Sequence, residues 1–331
     1  MELSSLAGVG VITAHACKTR RRTVIAGVAL IGATLCAMTH AASAQQTHVL
    51  IVQGLSGEMQ YRRQFDSTVT LVRNAARQRW NVEDSNFAVL SEEANAVMHV
   101  GKATREAVGA SFLALSRRVR PGDIVLVMLL GHGSGEGAAS KVNLPGVDAT
   151  AADFAAWIGA LSRQSVVFVN AATGSGDFVS VLQGPGRIII TATRSAMERN
   201  ESVFAPNFAA GLAGSDADAD KDGRVSVLEA FRYARKEVAR VYESSNRLQT
   251  EHAQLSDSTL AARIAFGGAA ASNDPRVVAL MAERQALEAD VAALRAKKAS
   301  MAVDAYDREL ERLLLALAEK TQAIRAAGAR R

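Results

Sequence analysis

Residues Asp218 to Glu229 read DADKDGRVSVLE. Counted from Asp218, carboxylates stand at positions 1, 3 and 5 (Asp218, Asp220, Asp222) and a glycine at 6 (Gly223). Arg224 at 7 offers a backbone carbonyl, Val225 is the apolar residue at 8, Ser226 stands at 9 and Glu229 closes the set at 12. A hard cation needs six or more oxygens on a chain that turns sharply, and this spacing supplies them in the twelve-residue calcium-loop pattern. The expectation is a structural Ca2+ bound by Asp218, Asp220, Asp222, the Arg224 carbonyl, Ser226 and Glu229. The competing reading is an acidic, solvent-facing turn that caps the next helix. The loop has no second copy, which argues for a structural ion over a sensor. Asp216 lies outside this register.

A second kind of chemistry is suggested by LLGHGSG (129–135) and FVNAATGSGDF (168–178). His132 lies between glycines just after an apolar run, which leaves its imidazole accessible and exposes the backbone N–H of Gly133. The later turn holds two hydroxyls, Thr173 and Ser175. A nucleophile must come within about 3 Å of its base, and GSG places Ser175 on an exposed turn. The plainer reading gives both hydroxyls to backbone groups of the turn and makes His132 structural. Glu251 and His252 are adjacent but lack the further ligands a metal needs, so they read as surface or packing residues.

These residues need a frame. Apolar runs at 47–55, 87–90, 123–131, 165–170 and 187–193 read as strands, and 123–131 is apolar enough to be central and covered on both faces. Between and after them, 58–80, 103–119, 204–213 and 227–243 have helical periodicity. Thr104 caps one helix, and Thr150 with Asp153 begins another. The alternation predicts an α/β fold, an open and mostly parallel sheet flanked by helices, over residues 45–263. Chemistry in such sheets gathers at the carboxyl ends of the strands, where both turns fall. Residues 264–274 read as a linker. Leu280, Leu287 and Leu294, then Leu310, Leu317 and Ile324, recur at heptad spacing. They predict a helical hairpin over 275–331, joined through 297–306. It packs on the α/β domain or mediates self-association.

The combination of GHGS after one strand, NAATGSG after another forty residues on, and then RIIITAT resembles the legumain-like and caspase-like cysteine peptidases. The resemblance covers roughly 47–245. The run GPGRIIITATRSAMERNESVFAPNFAAGLAG is similar to a group of bacterial exported proteins related to the legumain type. The resemblance implies that His132 matches the general base and Gly133 the oxyanion-hole N–H. It also implies that Asn170 and Ala171 precede the nucleophile position, which Ala172 occupies here. Alanine has no nucleophile, so cysteine acyl-enzyme chemistry is excluded. The implied protein is a pseudopeptidase that retains the fold and binds a peptide or envelope protein. The alternatives are a hydrolase using Ser175 or Thr173 with His132, and an assembly protein acting through its C-terminal helices.

Residues 1–44 read as an export leader. They hold a basic cluster (Lys18, Arg20, Arg21, Arg22), an apolar core, and small residues at Ala42 and Ala44 before a cut after Ala44. The reading implies the bacterial periplasm, with an uncleaved inner-membrane anchor as the alternative. The leader carries both cysteines, Cys17 and Cys36. Without it, four of 38 basic and one of 33 acidic residues leave, and the formal charge falls from +5 to +2. A balance that close to neutral, with no basic stripe, excludes a nucleic-acid-binding surface.

Overall fold

The computed structural model describes residues 45–95, 100–267 and 275–328. The leader expected over 1–44 lies outside them. Among the described residues, no helix is long and apolar enough to cross a membrane.

The chain opens with β1 (Thr47–Gln53), α1 (Met59–Gln78), β2 (Phe87–Ser91), β3 (Val100–Lys102) and α2 (Arg105–Arg118). Next come β4 (Ile124–Leu130), three two-residue strands β5 (Gly133–Ser134), β6 (Lys141–Val142) and β7 (Ala149–Thr150), and α3 (Ala151–Gly159). Then follow β8 (Ser165–Asn170), α4 (Phe178–Leu182), β9 (Arg187–Thr191), α5 (Phe204–Ala213) and α6 (Val227–Ser244). After β10 (Gln254–Leu255) and α7 (Ser258–Arg263), α8 (Pro275–Ala296) and α9 (Val303–Gly328) complete the order. The main sheet runs β10-β9-β8-β4-β1-β2-β3, parallel throughout except for β10. Strands β5, β6 and β7 form a small antiparallel ribbon.

All seven residues of β4 are buried, because a strand between two layers of helices has no solvent face. Successive side chains point to opposite faces, and two cores result. Ile51, Leu126, Met128, Val169 and Ile190 pack beneath α1, α5 and α6. Leu50, Val127, Leu129, Phe168 and Ile189 pack beneath α2, α3 and α4. In the second core Phe154 meets Phe168 at 5.4 Å, Trp157 at 5.1 Å and Phe178 at 5.9 Å between ring centroids. Both expected caps are present. Thr104 accepts the Ala107 N–H, and Thr150 with Asp153 makes a reciprocal capping box.

The segment expected to be a linker begins inside the fold. Ala265 bridges Ser226, and Phe266 lies 4.9 Å from Trp80. Both Ala265 and Phe266 are buried, and residues 268–274 lie outside the described set. Helices α8 and α9 bury Val291, Leu294, Tyr306 and Leu313 together.

Strand β1 is followed in sequence by β2 and β3 on one side, and the chain then returns to lay β4 on the other. The order therefore reverses between β1 and β4. The crevice beyond their carboxyl ends is the place such sheets offer to ligands.

Candidate functional site

His132 stands at that reversal. The turn after β4 holds it half-buried, and its Nε2 lies 3.1 Å from the carbonyl oxygen of Ser56 in the turn after β1. A carbonyl only accepts, so Nε2 is the donor in this contact. Tyr61 presents its edge at 5.2 Å, and Phe65 lies at 6.3 Å. Ser56 is fixed in turn by Glu92, which accepts its backbone N–H at 3.1 Å and its hydroxyl at 2.7 Å. The imidazole is thus braced from β1, α1 and the end of β2.

The turn after β8 comes up beside it. The Gly133 N–H donates to Thr173 Oγ1 at 3.3 Å, so the N–H matched to an oxyanion donor has a partner inside the protein. A side chain at 133 would meet the Lys141 and Thr173 carbonyls at 2.6 and 2.8 Å, which requires glycine. Ala172 is fully buried and belongs to the core beneath α2, α3 and α4. Its N–H donates to Asn170 Oδ1 at 3.1 Å.

Ser175 departs from expectation. The exposed turn foreseen for it is a buried one, with the residue 1% exposed. Its Oγ lies 3.1 Å from Thr193 Oγ1 and accepts the Thr193 N–H at 3.3 Å. Gly176 also donates to Thr193 Oγ1, at 3.1 Å. A Cβ on Gly176 would fall 2.3 Å from the Arg194 carbonyl, so the turns after β8 and β9 touch backbone to backbone. The approach that glycine permits is what closes Ser175 from solvent. Next to this contact, Glu198 accepts from the Arg194 N–H and from both the N–H and Nδ1 of His252, the last at 2.6 Å. Glu251 is buried, accepts from Ser202 Oγ and the Val203 N–H, and has its carboxyl pushed up by burial. Sequence reasoning set this pair aside. Glu198 is 54 residues from His252, and no local spacing signals their meeting.

The acidic loop forms a separate site between α5 and α6. Asp218, Asp220 and Asp222 bring one oxygen each to within 4.8 Å of one another, a group able to hold a divalent metal ion. Asp218 accepts the N–H groups of Asp222 and Gly223, and Asp222 accepts that of Arg224. Gly223 has φ of +86°, the backbone conformation its position requires. Glu229 accepts from Ala219 and Asp220 through Oε1 and from Ser226 through Oε2, and it forms a capping box with Ser226 at the start of α6. Burial, with Glu229 nearby, pushes the Asp220 carboxyl up, and burial pushes the Arg224 guanidinium down. Asp220, Asp222, Arg224 and Glu229, with Arg284 and Glu288 of α8, are among the residues lining a cavity of about 330 Å³. Arg284 pairs with Glu288 one helical turn on and reaches Asp222, 62 residues away, a contact with no local signature.

No family model matches the sequence, and no curated protein matches it. Among solved structures the chain is similar to a protein from Geobacter sulfurreducens, at 12% identity and TM-score 0.38, over 63% of this chain and 92% of that one. It is also similar to drICE, at 14% identity and TM-score 0.38, over 64% of this chain and 87% of that one. These are weak, low-identity likenesses, and at this TM-score neither bears on the residues of the site.

Proposed function

We propose that this protein is an exported, non-catalytic member of the caspase-like and legumain-like peptidases, binding a peptide or envelope protein of the bacterial periplasm. One observation carries the reading. Every residue of the turn that would supply a nucleophile is committed inward. Ala172 is fully buried, Thr173 Oγ1 accepts from Gly133, and Ser175 is engaged with Thr193. A hydroxyl mechanism would have to break those bonds before His132 could act, so it is disfavoured. The imidazole that remains, between Tyr61 and the β1–β4 crevice, is a recognition group. Calcium is the ion proposed for Asp218, Asp220, Asp222, the Arg224 carbonyl, Ser226 and Glu229, as a structural tie between α5 and α6. Leu314 and Leu315 on α9 are 43% and 60% exposed and offer a surface for self-association.

The test is turnover of a diverse peptide library, with Ca2+ and with a chelator, by the protein and its His132→Ala variant. No turnover by a folded, calcium-loaded sample is expected. Turnover that vanishes in His132→Ala would overturn the reading and return the search to Ser175 and Thr173.

A further inference from the structure

The carboxylates of the acidic loop divide their labour. Asp222 Oδ1 accepts the Arg224 N–H, and Asp220 Oδ1 accepts the Asp222 N–H. In each the second oxygen, Oδ2, is the one turned toward Arg284. The guanidinium bonds Asp222 Oδ2 through Nη1 and stands 3.9 Å from Asp220 Oδ2 through Nη2. It arrives from α8, 62 residues away, with Nε anchored on Glu288 at 2.9 Å. The contact is enclosed, with the side chains of Arg284 and Asp222 14% and 5% exposed.

Calcium requires oxygens at about 2.3–2.6 Å, and Asp220 and Asp222 are two of the three carboxylates that converge here to supply them. A guanidinium on Asp222 occupies space the ion would need, and two cations this close repel. We propose that Arg284 is a built-in counter-cation that competes with Ca2+ for Asp220 and Asp222, so that filling the loop releases α8 from the α/β domain. This rests on the calcium reading of residues 218–229 and adds a regulated element to it: the C-terminal helices dock when the ion is scarce and detach when it is abundant. Ligand-coupled release of this kind needs a contact made in one state and lost in the other, and Arg284–Asp222 is such a contact.

The full chain and its Arg284→Gln variant are titrated with Ca2+ by calorimetry, and hydrogen exchange over 275–296 is followed with Ca2+ and with chelator. Circular dichroism checks that the variant is folded, and Arg284→Lys, which keeps the charge but loses the fork, is a second probe. Arg284→Gln should bind Ca2+ roughly tenfold more tightly, the scale of one charge-assisted contact, with Arg284→Lys between. Exchange over α8 should rise on adding Ca2+ to the wild type, and should already be high in Arg284→Gln. Equal affinities in a chain that does bind Ca2+ would overturn the competition and leave the calcium reading standing. No binding by any variant would remove both. Tighter binding by Arg284→Gln with unchanged exchange over α8 would overturn the release.

Discussion

Restoring a thiol at position 172 should not restore a peptidase. The Ala172 side chain has no exposed surface and joins the core beneath α2, α3 and α4. In Ala172→Cys the added sulfur enters that core, and overpacking of a filled site costs about 1–3 kcal/mol. At about 2 kcal/mol, Tm falls by about 4–8 °C for a domain of this size. The thiol also lies in apolar surroundings, which raise its pKa and hold it in the unreactive form. Reagent reaches it only through local opening. Opening against about 3 kcal/mol slows alkylation about a hundredfold relative to a free cysteine. The assay is the rate of iodoacetamide labelling at position 172 by mass spectrometry, with the parent chain giving the background from Cys17 and Cys36. Labelling at the rate of an exposed thiol, together with peptide cleavage that requires His132, would refute the argument. It would show that position 172 faces the imidazole and that one substitution separates this chain from an active enzyme.

Two further outcomes follow from polar contacts, one buried and one at the surface. Ser175→Ala leaves the Thr193 N–H without its acceptor in a buried turn, so unfolding free energy should fall by about 1–3 kcal/mol in urea titration. An unchanged midpoint would mean that the hydroxyl is not held for structure. Asp153 titrates at about 2 because Arg105 hydrogen-bonds its carboxylate, with further help from Thr150. A folded-state pKa below the unfolded one stabilises above the ordinary value of 3.8 and is lost as pH falls toward 2. NMR titration should therefore show Asp153 still ionised at pH 3 and, in Arg105→Ala, shifted back toward its ordinary range. No movement would assign the depression to the helix cap alone.

The sheet was readable because a strand covered on both faces has no choice of composition. IVLVMLL has seven buried positions, and the span expected at 123–131 adds only Asp123 and Gly131 at its ends. Helix α5 was placed at its observed bounds, 204–213. Strands β3, β5, β6, β7 and β10 escaped notice because two or three residues cannot establish a period. The start of the segment 264–274 is packed and not a free linker, for a different reason. AFGG has the small residues of a loop, yet Phe266 finds Trp80 and Ala265 pairs with Ser226. The exposed turn expected at Ser175 failed because its cover, Thr193 and Arg194, comes from the next strand end. Composition at 175 carries no trace of it.

The acidic loop shows why local pattern has a ceiling. Its positions 9 and 12 are Ser226 and Glu229, and S-x-x-E is at once the closing half of a calcium loop and a capping box. The structure uses them as the box, and the two roles are compatible up to the Glu229 oxygens that accept from Ala219, Asp220 and Ser226. No reading of twelve residues can separate these roles, since both demand the same letters. What separates them is the charge that balances three converging aspartates. Here an arginine from α8 takes part of that place. Its identity is set by a helix that heptad spacing predicts but does not orient. On the competition proposed above, the loop is governed by which cation, Arg284 or a divalent ion, holds Asp220 and Asp222. Arg284 is the residue by which α8 touches those carboxylates.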